Sequence, residues 1–351
     1  MTHAPASSQA CPICRERGQE RLFESVDYLT GESFTVARCA RCGTARTLFP
    51  HPEEEIGRYY GDTYYGREGR RFLGALEWLV RLFRRGRVSA VLRLHPGPGR
   101  VLDVGCGRGL ILRRLRSLGW DCYGTELSAD LARLLRESGV EVFTGPLEEW
   151  GLPEASFDVI LLWHSLEHQF EPARVLAEVR RLLKPGGRLL LEVPNLGSWQ
   201  ARLGGSRWFH LDVPRHLVHF SRPTLAALLG GQGFEVLRWS TWSLEQGPFG
   251  FAQSLLNRMC ASPNLLYGLM KGHTVVEKMR QETPLARRVR DLLLTLALAA
   301  PAVGVGMGAE ALAALAGRGG VLRVSARRGG GTGGSQSAGT AHSGPSREPS
   351  A

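Results

Sequence analysis

Five consecutive residues, His164-Ser165-Leu166-Glu167-His168, place two imidazoles and a carboxylate in one short stretch. Imidazole titrates near neutral pH, and both groups ligate divalent cations. A second stretch, "WFHLDVPRHLVHFS", adds Asp212, His216 and His219. A third set lies near the N-terminus, where Cys11-x-x-Cys14 and Cys39-x-x-Cys42 are separated by 24 residues. Two C-x-x-C pairs supply four thiolates to a tetrahedral zinc site, each pair on a tight knuckle. Four thiolates close the coordination sphere, so this zinc would be structural and not catalytic. A redox role needs a C-x-x-C in a βαβ setting, which is absent here.

Elements that could position these groups follow from hydrophobic period and turn residues. From Arg100 onward, strands alternate with helices, which argues for a parallel sheet covered by helices. "RVLDVG", "DCYGTEL", "VEVFTG", "FDVILLW" and "RLLLEVPN" read as five strands, and "FEVLRWST" and "VLRVSARR" as a sixth and seventh. The intervening helices include "LILRRLRSLG", "SADLARLLRESG" with a Ser cap, and "EPARVLAEVRRLLKPGG" with Pro172 in its first turn and Gly186 beyond its end. His164, Glu167 and His168 then follow the fourth strand. Asp212, His216 and His219 follow the fifth. Both places are where this sheet type binds ligands.

"VLDVGCGRG" (101–109) ends the first strand and opens a helix. Its glycines allow a sharp turn and a close backbone approach to a ligand. The strict dinucleotide pattern G-x-G-x-x-G fails, because Gly105 and Gly107 are followed by Gly109, with Leu110 where the last glycine would stand. Glu126 ends the second strand, where a carboxylate can take two hydrogen bonds from ribose hydroxyls.

These residues resemble the class I S-adenosylmethionine-dependent methyltransferases, in a broad bacterial branch acting on small molecules and glycans. The resemblance covers about residues 100–234. It implies an α/β fold: a Rossmann-like seven-stranded methyltransferase sheet with helices on both faces, preceded by a small zinc ribbon. It implies a cofactor site of Asp103, Gly105, Cys106, Gly107, Gly109, Glu126, Leu127, Leu147 and Trp163. Asp103 would organise the loop, Gly105 and Gly107 would line the methionine part, and Glu126 would hold the ribose. Pro146 stands where the family often has an acid, so adenine recognition falls to the backbone at Leu147. The implied reaction is methyl transfer to oxygen or carbon of a small-molecule, glycan or lipid-linked acceptor.

Because the methyl donor is already activated, the enzyme chiefly aligns the nucleophile and removes its proton. His164 and His216 are the candidate catalytic residues. His168, Glu167 and His219 have bland alternatives as loop braces or buried hydrogen-bonding groups. Glu167 and His168 could also help hold a divalent metal, as in some quinone-type relatives. The same five residues match H-x-x-E-H, a zinc-peptidase pattern. That pattern needs a continuous helix, and a strand ends at this motif instead. A non-catalytic binding protein and an RNA methyltransferase guided by the ribbon are the other rivals.

The net charge of +11 is spread along the chain without a basic aromatic patch, which argues against a nucleic-acid partner. The seven cysteines and the lack of a secretory pattern point to a reducing, cytoplasmic setting. Residues 292–309 carry no charge over 18 positions. Pro301 and three glycines interrupt them, and Arg287, Arg288 and Arg290 precede them. We expect a helical insertion that packs on the domain or rests on a membrane, with peripheral contact through 285–316; the alternative is that 292–309 spans the membrane. The expected division is a disordered lead (1–10), zinc ribbon (11–50), helical linker (51–98), methyltransferase core (99–241), apolar insertion (242–320), final core strand (321–328) and Gly/Ser-rich tail (329–351).

Overall fold

The computed structural model describes residues 10–60, 86–271 and 284–329. The expected lead over 1–9, the linker over 61–85, the insertion over 272–283 and the tail over 330–351 lie outside the described residues.

The main sheet has seven strands. They are β4 (Arg100–Val104), β5 (Asp121–Thr125), β6 (Glu141–Phe143), β7 (Phe157–Trp163), β8 (Leu183–Pro194), β10 (Phe234–Ser240) and β11 (Val321–Arg328). Their order is β10-β11-β8-β7-β4-β5-β6. β4 through β8 pair in parallel, while β11 runs antiparallel to both β8 and β10. The apolar run Val159–Trp163 of β7 is buried on both faces, as are Val101, Leu102 and Val104 of β4 on either side of Asp103, as expected for central parallel strands. Helices α1 (Leu110–Arg116), α2 (Ala129–Glu137) and α3 (Pro172–Leu182) follow β4, β5 and β7. Local signals set their starts. The Ser128 hydroxyl accepts from the Leu131 N–H at the head of α2, and Pro172 occupies the first turn of α3. α4 (Trp199–Gly204) and α5 (Arg222–Gly231) come between β8 and β10.

One boundary differs from the sequence expectation. The helix ends at Leu182, and β8 begins at Leu183 rather than at Arg188. Leu183 pairs with Phe157, the Pro-Gly-Gly segment bulges out with Gly186 at φ 78°, and pairing resumes at Arg188 opposite Val159. The apolar Leu183 side chain is fully buried, which favours an early strand start over one more helical turn.

A second sheet joins the N-terminal segment to the core. It contains β1 (Gln19–Val26), β2 (Ser33–Cys39), β3 (Ala45–Thr47) and β9 (Val218–His219), in the order β1-β2-β3-β9. β9 belongs to the segment after β8, so the cysteine-bearing hairpin is completed by a strand from the main body. Phe34, Val36, Ala45 and Phe49 accordingly share one hydrophobic cluster with Leu217, Val218 and Phe220. A buried ion pair crosses the same junction. Arg215 Nη2 lies 2.7 Å from Asp27 Oδ1, and both side chains are fully buried. The sequence division between 11–50 and 99–241 therefore runs through a single packed core.

Between β10 and β11 stand α6 (Gly247–Met259), α7 (Leu265–Lys271) and α8 (Leu285–Leu315). α8 packs along α6, and α6 in turn packs on α4 and the 209–211 turn.

Candidate active site

The glycine loop is built as a close approach. Gly105, Gly107 and Gly109 have φ of 74°, 55° and 57°, a left-handed region that favours glycine. The Gly105 N–H donates to Thr125 Oγ1 (3.0 Å) and the Cys106 N–H to the Thr125 carbonyl (2.8 Å), which ties the loop to β5. A Cβ on Gly105 would meet Ser165 Cβ at 2.9 Å, so the loop touches the turn after β7. A Cβ on Gly109 would overlap Leu135 of α2, whereas the space beside Gly107 is open. Glu126 follows β5, is buried, and accepts from the Ser128 N–H at 2.8 Å. Asp103 is buried at the end of β4, and burial pushes its carboxyl up to about 7. Leu147 is buried at the turn after β6, while Leu127 is exposed. This loop, with a carboxylate one strand over, fits a nucleoside cofactor: its donors and its open glycine face sit at the carboxyl ends of β4 and β5.

Trp163 ends β7, and two guanidinium groups, those of Arg87 and Arg323, each lie over its ring at 4.8 Å from the centroid. Its buried Nε1 has no hydrogen-bond partner among the described residues. Cation–π contacts of this kind hold a ring in place.

His164 follows in a left-handed conformation, φ 52°. Its Nδ1 lies 3.2 Å from Glu167 Oε1 and its Nε2 3.1 Å from Glu192 Oε1. Glu192, fully buried in β8, is also held by Arg323. Burial alone would lower the His164 pKa, but hydrogen bonds to the two carboxylates overcome it and raise it to about 9. The same contact outweighs burial at Glu167 and brings its carboxyl down to about 2. At neutral pH His164 is thus an imidazolium with both nitrogens engaged. It is not a free base, contrary to the role expected from sequence.

The other side of Glu167 is different. Glu167, His168 and His216 each offer one ligand atom, and these atoms lie within 4.8 Å of one another. His168 Nδ1 sits 2.8 Å from the Arg215 carbonyl, and His216 Nδ1 2.8 Å from the His210 carbonyl. A carbonyl accepts only from N–H, so each ring carries a proton on Nδ1, which in His168 also lies 2.8 Å from the Tyr60 hydroxyl, and a neutral ring then presents its lone pair on Nε2. His216 Nε2 is 4.0 Å from both Glu167 Oε1 and Asp212 Oδ2. Glu167 Oε2 is buried without a hydrogen-bond partner among the described residues. Two Nε2 lone pairs and an orphaned carboxylate oxygen form a donor set for a divalent cation, with the opposite ring nitrogens held by carbonyls as metal-ligating histidines usually are. Asp212 is kept ionised, since the Arg215 guanidinium outweighs its burial. His168 is held neutral, first by burial and then by His216, which brings it to about 4.

His219 plays a bracing role. Its Nε2 lies 3.0 Å from Thr47 Oγ1, whose hydroxyl donates to the His216 carbonyl at 2.7 Å. This contact fastens the cysteine-bearing sheet to the loop that carries His216. In that sheet Cys11 and Cys42 Sγ are 3.6 Å apart, and Cys14 and Cys39 Sγ 3.5 Å. The four sulfurs lie within 4.8 Å of one another, which fits a tetrahedron whose edge is about 3.8 Å for Zn–S bonds of about 2.3 Å.

The structure thus brings His164, Glu167, His168, Asp212 and His216 into one cluster, places His219 behind it and keeps the four cysteines apart. Sequence reasoning missed Glu192, Arg323 and Arg87. Glu192 did leave a signal: it is the lone charge in the apolar run "LLLEVP".

Residues 75–238 match the family model described as a methyltransferase domain. The ubiquinone biosynthesis O-methyltransferase of Xanthomonas axonopodis pv. citri is 32% identical over 157 residues, covering 41% of this chain and 66% of that protein. The protein of the same name from Xylella fastidiosa is 33% identical over 161 residues, covering 41% of this chain and 65% of that one. The chain therefore spans just under two thirds of the length of these curated relatives. A solved S-adenosylmethionine-dependent methyltransferase from Mesorhizobium loti aligns at 19% identity and TM-score 0.41, over 68% of this chain and 96% of that one. Residues 75–238, which hold β4–β8, thus match a methyltransferase domain, and these strands form the parallel part of the seven-stranded sheet.

Proposed function

We propose that the chain transfers the methyl group of S-adenosylmethionine to a hydroxyl oxygen of a small-molecule acceptor, at the centre formed by Glu167, His168 and His216. The observation that carries this reading is the pair of Nε2 lone pairs and the orphaned Glu167 Oε2, set on a turn whose Ser165 abuts Gly105 of the cofactor loop. Asp103, Gly105, Cys106, Gly107, Gly109, Glu126, Leu127, Leu147 and Trp163 would hold the cofactor, which supplies an electrophilic methyl carbon. His216 Nε2 takes the acceptor hydroxyl proton. With the cofactor bound, the acceptor oxygen so deprotonated would take the methyl group, and the cofactor would leave as a neutral thioether. His164 keeps Glu167 and Glu192 ionised, a positioning role. The protonated His164 also gives the site a fixed positive charge, which favours an acceptor that develops negative charge on oxygen.

A divalent cation on Glu167, His168 and His216 is the second reading, favoured by the same donor set. It would lower the pKa of an acceptor hydroxyl and position it. The curated relatives named for ubiquinone biosynthesis favour a phenolic or catecholic acceptor, and a sugar or lipid-linked hydroxyl fits the same chemistry. We assign Cys11, Cys14, Cys39 and Cys42 to a structural zinc. The test is incubation of the full chain with tritiated S-adenosylmethionine, manganese or magnesium, and catechol acceptors or fractionated extract. Transfer to an organic-soluble product that Glu167→Gln abolishes supports the proposal. Transfer to RNA or protein alone would overturn it.

A further inference from the structure

α8 has inverted polarity. Along its 31 residues the buried positions are Asp291, Thr295, Ala302, Gly306, Glu310 and Ala313, which form one stripe. The acids and the hydroxyl face the protein. The Ser262 N–H donates to Asp291 Oδ2 (3.0 Å), Thr295 meets Cys260 Sγ (3.7 Å), and Glu310 accepts from the Gly320 N–H (2.6 Å) and Gln200 Nε2 (3.2 Å). Gly306 lies so close to α6 that a Cβ would meet the Pro248 carbonyl oxygen at 2.5 Å. The outward face is the apolar one: Leu293 is 61% exposed, Leu296 62%, Val305 58% and Leu312 61%. A helix on a water-facing surface shows the opposite arrangement.

Charge identifies what covers this face. From residue 284 to 318 the exposed charged side chains are Arg287, Arg290 and Arg318, all positive; both acids are buried, and Asp291 Oδ1 pairs with Arg290 Nη2 at 2.8 Å, which leaves Arg287 and Arg318 as the end charges. They bracket an apolar strip of about 36 Å, the length of residues 292–315 at about 1.5 Å each. Trp199 is exposed at the Arg318 end, because its backbone N–H donates to the Arg318 carbonyl (3.0 Å). An apolar strip with arginines at its ends and an indole at one of them suits the headgroup boundary of an anionic leaflet. A second copy suits it poorly. A parallel pair would set the Arg287 ends together, and an antiparallel pair would set Arg287 against Arg318. A crossing is excluded by attachment along the whole helix: the buried stripe runs from Asp291 to Ala313, and the 13-residue α6 at its side spans only about 20 Å.

We infer that α8 lies in the plane of a membrane and docks the protein on anionic phospholipid through Leu293, Leu296, Val305 and Leu312. This goes beyond the proposed methyl transfer and holds whatever the acceptor. The experiment is sedimentation of the full chain with vesicles of phosphatidylcholine plus phosphatidylglycerol, and with vesicles of phosphatidylcholine alone. The protein should pellet with the anionic vesicles. Leu293→Glu with Leu296→Glu should weaken binding at least about tenfold, and Leu293→Gln with Leu296→Gln should weaken it less. Arg287→Glu or Arg318→Glu should cost roughly fivefold each on anionic vesicles only. Zinc content and cofactor binding serve as folding controls. Protein that stays in the supernatant with anionic vesicles overturns the inference. So does pelleting that the leucine variants leave unchanged, or self-association that the same variants abolish without any lipid binding.

Discussion

Among the described residues, the two clusters with metal-ligand chemistry are built in opposite ways. The four cysteines come as two local pairs, each on a turn closed by its own backbone: the Arg15 N–H donates to the Cys11 carbonyl and the Gly43 N–H to the Cys39 carbonyl. Every thiol faces another thiol. Glu167, His168 and His216 come from two distant segments and meet only because β9 and the Asp212–Arg215 turn return to the end of β7. Here the ligand atoms keep capacity to spare, in two Nε2 lone pairs and one orphaned oxygen. The difference teaches that a closed, locally encoded cluster holds structure, whereas an open cluster assembled by the fold can do chemistry.

Breaking the closed cluster should have the largest effect. Cys39→Ser should abolish bound zinc and unfold the β1–β3 sheet. Because Thr47 and β9 join that sheet to His216, methyl transfer should fall with it. Metal analysis and circular dichroism would read this. Next is the junction itself. Asp27→Asn leaves Arg215 buried with less counter-charge and should destabilise the chain by about 3–5 kcal/mol in denaturant unfolding. Breaking the open cluster should spare the fold. Glu167→Gln should weaken manganese binding about 10- to 100-fold, by electron paramagnetic resonance, while zinc stays at one per chain. The smallest effect concerns His164. Its pKa is raised from 6.5 to about 9 in the fold, so its stabilising contribution is full below about pH 6.5 and is lost as pH rises through about 9. The melting-temperature difference between wild type and His164→Gln should therefore shrink across that window.

Much of the frame was legible before any coordinates. The buried apolar residues of β4, β7 and β8, the three closely spaced glycines after β4 and the Ser and Pro helix starts are local signals, and they mark the sheet and its glycine loop. The cysteine spacing was equally local. His216 as a partner of Glu167 was not legible, because no periodicity links positions 49 residues apart and β9 is only two residues long. The charge state of His164 was hidden for the same reason, since it depends on Glu192 one strand away. The polarity of α8 was hidden differently. Asp291, Thr295 and Glu310 mark one face of the helix, but only Ser262, Cys260, Gln200 and Gly320 reveal that this face points inward.

The most direct test is single-turnover transfer from tritiated S-adenosylmethionine. Full-length protein, a Gly105→Arg variant and a Glu167→Gln variant would each be mixed with fractionated extract and a divalent cation. The account predicts tritium in a small-molecule fraction for wild type, cofactor binding without transfer for Glu167→Gln, and neither for Gly105→Arg, with zinc at one per chain in all three. Wild-type protein that binds the cofactor yet labels no fraction would contradict it.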